Sequence, residues 1–370
     1  MITDPTGLQS RRQRAWEEAR RREPRLTAFL VTGPANVRYL SGFTGSNGCL
    51  LVSESAAVLA TDTRYEIQAA QECPGLEVLL DRDIVPAVVG RWVRGGGGVL
   101  LVEGDHLSVA GLRRIHQAVS EGAEGHACEV IAVEGVVEDL RRVKEPGEMA
   151  VLRRACEISD AALAALLPTI QAGQAERDIA RRLENLMLDL GADAPSFESI
   201  VGAGPNSAIP HHRPSSRCVE QGDLLLIDFG ALVEGYHADQ TRTFVVGTPS
   251  AWQCELHAVV LAAQESARAA ARAGAGLADV DRCARGVIEE AGQGERFGHG
   301  LGHGVGLEIH EAPMIGPRAT GMLDDGSAVT VEPGVYLPGM GGVRIEDTVA
   351  ISAGPSVSMT ATERGLTVLG

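Results

Sequence analysis

Five side chains with metal-binding chemistry occur in the second half of the chain, each within a distinctive local sequence. They are four carboxylates and one imidazole: Asp228, Asp239, Glu332, Glu346 and His303. Asp228 lies in LLLIDFGALV and Glu332 in AVTVEPGVYL, and an ionised carboxylate inside such an apolar strand costs several kcal/mol unless it is paired or coordinated. Four carboxylates balance the charge of two divalent ions. Oxygen ligands with one imidazole suit Mn, Co or Zn, so the set predicts a dinuclear site, with Mn as the expected metal.

The spacing of the carboxylates indicates how the chain brings them together. Asp228 and Asp239 are eleven residues apart, with a predicted tight turn at residues 234–236 between them. This pattern predicts a hairpin that sets the two aspartates roughly opposite each other. Glu332 and Glu346 repeat the arrangement across the Gly-rich turn at residues 338–342. Since facing residues of paired strands have Cβ atoms ~4.5–5.5 Å apart, two such pairs face to face would surround a small cation cluster.

The imidazole ligand lies in an unusual segment. Residues 298–311, GHGLGHGVGLEIHE, contain three histidines among five glycines, a composition too rich in glycine for a helix interior. Each histidine taken alone is more simply explained as a partly buried hydrogen-bonding residue. Together with the four carboxylates, the cluster favours a site in which the backbone approaches a ligand closely.

Composition excludes some classes of function. The net charge of −16 argues against nucleic acid as a partner, and the basic stretch at residues 11–25, interleaved with glutamates, predicts a solvated helix. Seven cysteines without CxxC spacing are typical of reduced thiols in a cytoplasmic protein. Because the sequence shows neither a leader-type apolar region nor a run of ~18 apolar residues, we expect a cytoplasmic protein with no membrane partner.

The chain divides into two predicted domains, 1–140 and 141–370. Residues 26–135 alternate short apolar strands with helical segments, which indicates an α/β domain with a mixed or parallel sheet. The glycines at 95–98 lack the Lys-Ser/Thr of a phosphate loop and are predicted to precede a strand. A polar segment at 143–148 then precedes a predicted amphipathic helix. Later Ala-rich helices, at 176–190, 250–273 and 277–291, are expected to cover the strands that carry the carboxylates.

Three motifs carry a resemblance to a known family. Residues 299–311, HGLGHGVGLEIHE, are similar to the signature of the Xaa-Pro peptidases, aminopeptidase P and prolidase, which belong to the creatinase and methionine aminopeptidase superfamily. NVRYLSGFTGS at 36–46 and TDTRY at 61–65 resemble the amino-terminal domain of the same enzymes. The resemblance implies an α/β amino-terminal domain followed by an α+β pita-bread catalytic domain. It also implies that the five ligands bind two metals and that His211, His299 and His310 line the substrate pocket.

The resemblance and the chemistry together predict an exopeptidase that hydrolyses the Xaa-Pro bond at peptide N-termini. Two cations can bridge one water, lower its pKa and orient the resulting hydroxide for attack. Glu332 is the candidate for proton transfer to the leaving nitrogen, and His211 and His310 are candidates for hydrogen bonding to the oxyanion or the substrate carbonyl. Arg344, two residues before Glu346, is predicted to lie at the substrate site and to orient a ligand carboxylate. We expect a homodimer.

The sequence leaves the length of the substrate open. Some prolidases place an arginine directly after the His-Glu-Xaa-Pro segment; here Met314 takes that position, and the next cation is Arg318. This difference favours peptides longer than a dipeptide, with a strict Xaa-Pro dipeptidase as the alternative. A creatinase-like hydrolase and a non-catalytic pita-bread binding protein are further alternatives. Retention of all five ligands argues against both.

Overall fold

A computed structural model describes residues 5–122, 125 and 127–370. The chain separates into two compact units that meet in sequence between Arg141 and Arg142. Among the described residues, no helix combines the length and the apolar composition that crossing a membrane requires.

The amino-terminal unit is built on one six-stranded mixed sheet. Its strands are β1 (Leu26–Val31), β2 (Gly48–Val52), β3 (Ala57–Thr61), β4 (Glu77–Leu80), β5 (Gly98–Glu103) and β6 (Cys128–Val133). Their order across the sheet is β4-β3-β2-β1-β5-β6; β2 is antiparallel to both of its neighbours, and the other pairs are parallel. The expected alternating α/β unit is therefore present, and β5 begins at the last of the four glycines.

Six α-helices in the described part of this unit accompany the sheet. They are α1 (Pro5–Arg22), α2 (Pro34–Ser41), α3 (Glu66–Glu72), α4 (Ile84–Arg94), α5 (Val109–Gly122) and α6 (Val136–Arg141). The basic helix α1 differs from expectation because one of its faces is buried, with Trp16 and Ala19 almost inaccessible. Arg11 is buried on the same helix, and its guanidinium carbon lies 4.4 Å from the centroid of the Tyr39 ring. The helix is thus packed against this unit rather than simply solvated.

The carboxy-terminal unit contains four long helices, α7 (Pro146–Leu166), α8 (Glu176–Asp189), α9 (Ala251–Ala270) and α10 (Leu277–Glu290). Helix α7 begins within the polar segment, at Pro146, because Glu145 and Glu148 form a reciprocal capping box and Pro146 occupies the first turn. Helices α9 and α10 pack against each other and, with the strands beneath them, enclose the main apolar core of this unit.

Fourteen short strands among the described residues form the sheets of this unit. They are β7 (Ala194–Pro195), β8 (Ile200–Ala203), β9 (Leu224–Phe229), β10 (Ala231–Val233), β11 (Tyr236–His237), β12 (Gln240–Val246), β13 (Gly302–Gly304), β14 (Glu311–Ile315), β15 (Ala328–Val331), β16 (Gly334–Leu337), β17 (Gly341–Arg344), β18 (Asp347–Ala350), β19 (Val357–Ser358) and β20 (Val368–Leu369). The sheets have the orders β20-β12-β9-β8, β14-β13-β15-β18-β19, β11-β10-β7 and β16-β17. Every predicted ligand lies on one of these strands or beside its end.

Candidate metal and substrate site

The two aspartates are placed by the antiparallel pair β9–β12. Asp228 is in β9 and Asp239 directly precedes β12, but the residue opposite Asp228 is Thr241. The aspartates are therefore offset by two residues rather than directly opposed. The predicted turn is present between β10 and β11, with Glu234 and Gly235 both at positive φ, a conformation typical of a two-residue hairpin turn.

Glu332 and Glu346 lie between two antiparallel ladders, β15–β18 and β16–β17, and the residue pairing of one ladder continues into the other. Val331 pairs with Asp347 at the end of the β15–β18 ladder, and Gly334 pairs with Arg344 at the start of the β16–β17 ladder. Continuing that register sets Glu332 opposite Glu346. The backbone amides of both residues bond outside the two ladders, Glu332 to the Leu301 carbonyl at 2.8 Å and Glu346 to the Thr241 carbonyl at 3.0 Å.

His303 faces the carboxylates through a defined ring nitrogen. Its Nδ1 lies 3.0 Å from the Gly304 carbonyl oxygen, which can only accept, so Nδ1 carries the proton. Nε2 is then unprotonated and can coordinate a cation through its lone pair. It lies 3.6 Å from Asp239 Oδ2 and 3.4 Å from Glu332 Oε1. The neighbouring glycines are required by close packing, since a Cβ on Gly302 or Gly304 would lie 2.1 Å or 2.3 Å from a carbonyl oxygen of an adjacent strand.

The electrostatics of this cluster favour a bound cation. Burial, and after it the charge of Glu346, raises the pKa of Asp239 well above its ordinary value. Burial, and after it the charge of Glu332, does the same to the pKa of Glu346. Burial raises the pKa of Glu332 to about 8. Asp228 Oδ1 is buried without a hydrogen-bond partner, and ligand atoms of Asp239, His303 and Glu346 all lie within 4.8 Å of one another. These residues fit divalent ions in number, type and direction.

Arg344 is buried beside this cluster and connects its members. Its Nη2 donates to Asp228 Oδ2 at 2.6 Å, and its Nε donates to Thr241 Oγ1 at 3.0 Å. Thr241 in turn donates from Oγ1 to Glu346 Oε2 at 2.6 Å. The arginine thus orients one carboxylate directly and a second one through the threonine hydroxyl. Thr241 was missed by the sequence reasoning, although its position two residues after Asp239 on a strand was a usable signal.

The cluster forms the floor of a cavity of about 1340 Å³ whose walls include His211, His299 and His310. The rings of His303 and His310 meet edge to face with centroids 4.3 Å apart. His299 Nε2 lies 3.0 Å from the Tyr336 hydroxyl, which also accepts from Arg344 Nη1 at 2.8 Å. Burial lowers the pKa of His299 to about 4 and also lowers the pKa of His310, so both are neutral at pH 7. Tyr336 is a second residue of the site that the sequence reasoning missed.

The outer wall of the cavity carries cations and apolar groups. Met314 and Arg318 both line it and both are exposed. Arg213 lines it as well, with its guanidinium engaged by Glu198 at 2.9 Å. All nine predicted site residues therefore line one cavity of the carboxy-terminal unit, and Arg318 lines it with them.

Comparison with known proteins agrees with this geometry. Residues 150–353 match the model of metallopeptidase family M24, and residues 11–143 match the creatinase/prolidase N-terminal domain. The chain is 36% identical over 346 residues to a Xaa-Pro dipeptidase of Pyrococcus furiosus, covering 93% of this chain and 96% of that protein.

Two solved structures are similar over nearly the whole chain. A Xaa-Pro dipeptidase from Bacillus anthracis has a TM-score of 0.90 at 36% identity, covering 99% of this chain and 100% of that one. An X-Pro aminopeptidase from Thermotoga maritima has a TM-score of 0.85 at 38% identity, covering 93% and 98%. The expected fold, an α/β amino-terminal domain followed by a pita-bread catalytic domain, is confirmed. The chain belongs to metallopeptidase family M24.

Proposed function

We propose that this metallo-exopeptidase hydrolyses the bond between a free N-terminal residue and proline, and that its substrates are Xaa-Pro dipeptides. One observation carries the proposal: four carboxylates and His303 Nε2 converge at the floor of a cavity that three further histidines line. The names of the relatives support the substrate class. We also propose a homodimer in the cytoplasm; the seven cysteines, none of them in a disulfide, support that location.

The proposal includes two divalent ions per chain, with Mn as the first choice and Co or Zn as alternatives. Asp228, Asp239, His303, Glu332 and Glu346 would hold them, since one catalytic ion with an open position needs only three protein ligands. When bound, such ions supply an activated water and polarise the scissile carbonyl. The mutual repulsion of the buried carboxylates supports this assignment, because positive charge between them removes it.

The remaining residues position the substrate and move protons. His310 and His211 donate hydrogen bonds to the substrate carbonyl as negative charge develops on its oxygen. The leaving nitrogen of proline has no hydrogen in the peptide, so it must gain a proton before it departs. Glu332, which would also hold a metal ion, takes a proton from the attacking water and passes it to the proline nitrogen. His299 remains neutral beside Tyr336 and helps to form the wall against which the substrate lies.

The outer wall determines the length of the substrate. A dipeptide ends in a carboxylate, and Arg318 on the wall is a cation suited to bind it. The sequence alone favoured longer peptides, because Met314 replaces an expected arginine. The similarity to proteins named Xaa-Pro dipeptidase favours dipeptides as the substrate class. Removal of the first residue from longer peptides remains the second candidate, favoured by Met314 and by the similarity to the Thermotoga aminopeptidase.

The test is kcat/KM for Ala-Pro, Ala-Pro-Ala and Ala-Ala with the Mn-loaded protein. We expect Ala-Pro to exceed Ala-Pro-Ala at least tenfold and Ala-Ala to be cleaved poorly. Arg318→Gln should raise KM for Ala-Pro and leave Ala-Pro-Ala unchanged. Arg296→Gln, in the same cavity wall, is the matched control. A preference for the tripeptide would make the protein an aminopeptidase, and equal cleavage of Ala-Ala would refute specificity for proline.

A further inference from the structure

His211 lies on a long segment with little regular structure of its own. The segment at residues 204–217, here called the His211 loop, follows β8 and contains one short 3-10 helix, Gly204–Ala208. No helix or strand of the described chain then occurs before β9 begins at Leu224. His211 itself is exposed within the cavity. Its position must therefore be fixed by contacts that the loop makes elsewhere.

Glu176, at the first position of α8, supplies those contacts. Its side chain is completely buried, and its carboxylate lies against the inside of the loop. Oε1 accepts from the Ala203 amide and from Asn206 Nδ2, both at 2.8 Å. Oε2 lies 2.8 Å from His212 Nε2 and accepts from the Ser215 amide at 3.0 Å and from Ser215 Oγ at 2.6 Å. One carboxylate thus bonds both ends of the loop and the residue next to His211.

These bonds keep the carboxylate ionised despite its burial. Burial alone would raise the pKa of Glu176, but the hydrogen bonds from Ser215, Ala203, His212 and Asn206 together lower it. A buried carboxylate with this many donors is a strong local constraint, since hydrogen bonds to a charged group are stronger than those between neutral groups. The loop is therefore held by a charged centre rather than by a hydrophobic core.

The middle of the loop is fixed from the side of the metal cluster. The Pro210 carbonyl accepts from Arg344 Nη1 at 3.3 Å, directly before His211. Ser207 Oγ accepts from the Gly342 amide at 2.9 Å, and a Cβ on Gly342 would lie 2.5 Å from the Ser207 carbonyl oxygen. The loop consequently lies between Glu176 on one side and the strand that carries Arg344 on the other. His211 is located where these two sets of contacts meet.

We propose that Glu176 is a positioning residue that holds His211 at the substrate site through its hydrogen bonds to Ala203, His212 and Ser215. Glu176 does not line the cavity, so it acts on substrate only through the loop. The inference rests on the proposed function to the extent that His211 contacts the substrate. A displacement of about 1 Å at such a residue can cost ~10²-fold in rate.

The variant Glu176→Gln tests this. Its amide nitrogen carries hydrogens, so it cannot accept the hydrogen bonds that one carboxylate oxygen of Glu176 accepts. We expect kcat/KM for Ala-Pro to fall 10- to 100-fold while metal content stays unchanged. Asp178→Asn is the matched control: it removes a carboxylate from the same turn of α8, but Asp178 is exposed, and its ion pairs are exposed ones with Arg177 at 4.0 Å and Arg181 at 3.6 Å. It should retain the activity of the parent protein.

A double-mutant cycle separates positioning from general destabilisation. If Glu176 acts through His211, the variant with both Glu176→Gln and His211→Ala should be no slower than His211→Ala alone. Losses that multiply would overturn the proposal. Should Glu176→Gln fail to fold, Ser215→Ala removes a single hydroxyl donor and is tested in the same cycle with the same two outcomes.

Hydrogen exchange of the metal-free protein gives a readout that does not depend on activity. We expect Glu176→Gln to accelerate amide exchange in residues 203–217 and to leave α9 and α10 unchanged, whereas Asp178→Asn should change neither. Unchanged exchange in the loop would overturn the proposal. If the parent protein fails to cleave any Xaa-Pro substrate, the proposed function is refuted, and the exchange experiment still decides whether Glu176 holds the loop.

Discussion

At the scale of single residues, hydrogen-bond partners that are not themselves predicted ligands orient several of the ligand atoms. His303 points Nε2 at the carboxylates because the Gly304 carbonyl occupies Nδ1. Glu346 is oriented because Thr241 donates to it, and Thr241 is itself held by Arg344 Nε. Partners of this type commonly change metal affinity or activity 10- to 100-fold when they are removed. The ligands alone therefore do not define the site.

His310→Ala and His211→Ala should each lower kcat about 10²- to 10³-fold, because both are assigned to hydrogen bonding with the carbonyl oxygen in the transition state. Metal content should remain that of the parent protein. Steady-state kinetics and plasma emission analysis of the same preparation measure both quantities. If either variant loses metal in proportion to activity, that histidine supports the metal cluster instead.

Thr241→Val should weaken metal binding about 10- to 100-fold, since the isosteric side chain leaves Glu346 and Arg344 without their shared hydroxyl. Thr243→Val is the control: Thr243 is also buried in β12, but its hydroxyl bonds only the backbone of Arg344. Isothermal titration of the metal-free proteins with Mn measures the difference. Equal affinities for the two variants would show that the Thr241 hydroxyl does not support the ligand.

At the scale of elements, the sequence predicted the hairpins better than the contacts between them. The alternation of apolar residues and the turn at Glu234 and Gly235 were sufficient to predict paired strands around the aspartates. The two-residue offset was not predictable, because Gly230 and Ala231 leave the main pair and β10 joins another sheet. Thr241 was missed for a related reason: its partners Glu346 and Arg344 lie 105 and 103 residues away in sequence, and local periodicity does not predict such contacts. Tyr336 bonds Arg344 on the paired strand of its own hairpin and His299 37 residues earlier, and neither contact was inferred from the sequence.

The start of the carboxy-terminal unit is held by a buried ion pair. Lys144 Nζ lies 2.6 Å from Glu311 Oε1, with side chains 1% and 4% exposed, beside His310. Lys144→Met should therefore destabilise this unit by about 3–5 kcal/mol, because it removes one partner of a buried ion pair. Arg142→Gln removes the more exposed pair with Asp324 and should cost about 1 kcal/mol or less. Denaturant unfolding measures both variants; similar small losses would contradict the assigned role of Lys144.

At the scale of the whole molecule, composition and pattern predicted two units, and the structure gives each its own apolar core. The three tryptophans of the chain are divided between the two units. Trp16 and Trp92 are buried in the amino-terminal unit, while Trp252 lies at the start of α9 in the carboxy-terminal unit. Fluorescence can therefore follow each unit separately. All proposed metal ligands belong to the second unit, so the two units should respond differently to divalent ions.

Adding Mn to the metal-free protein should stabilise the carboxy-terminal unit selectively. At a free concentration of 100 times Kd, binding contributes about 2.7 kcal/mol, which for a unit of this size corresponds to a rise in Tm of about 5–10 °C. The physical reason is that buried carboxylates which repel one another in the metal-free protein acquire a counter-charge. Thermal unfolding of the parent protein, followed by the same measurement on Trp252→Phe, separates the two signals. The transition reported by Trp16 and Trp92 should not move, and an equal shift of that transition would contradict stabilisation confined to the carboxy-terminal unit.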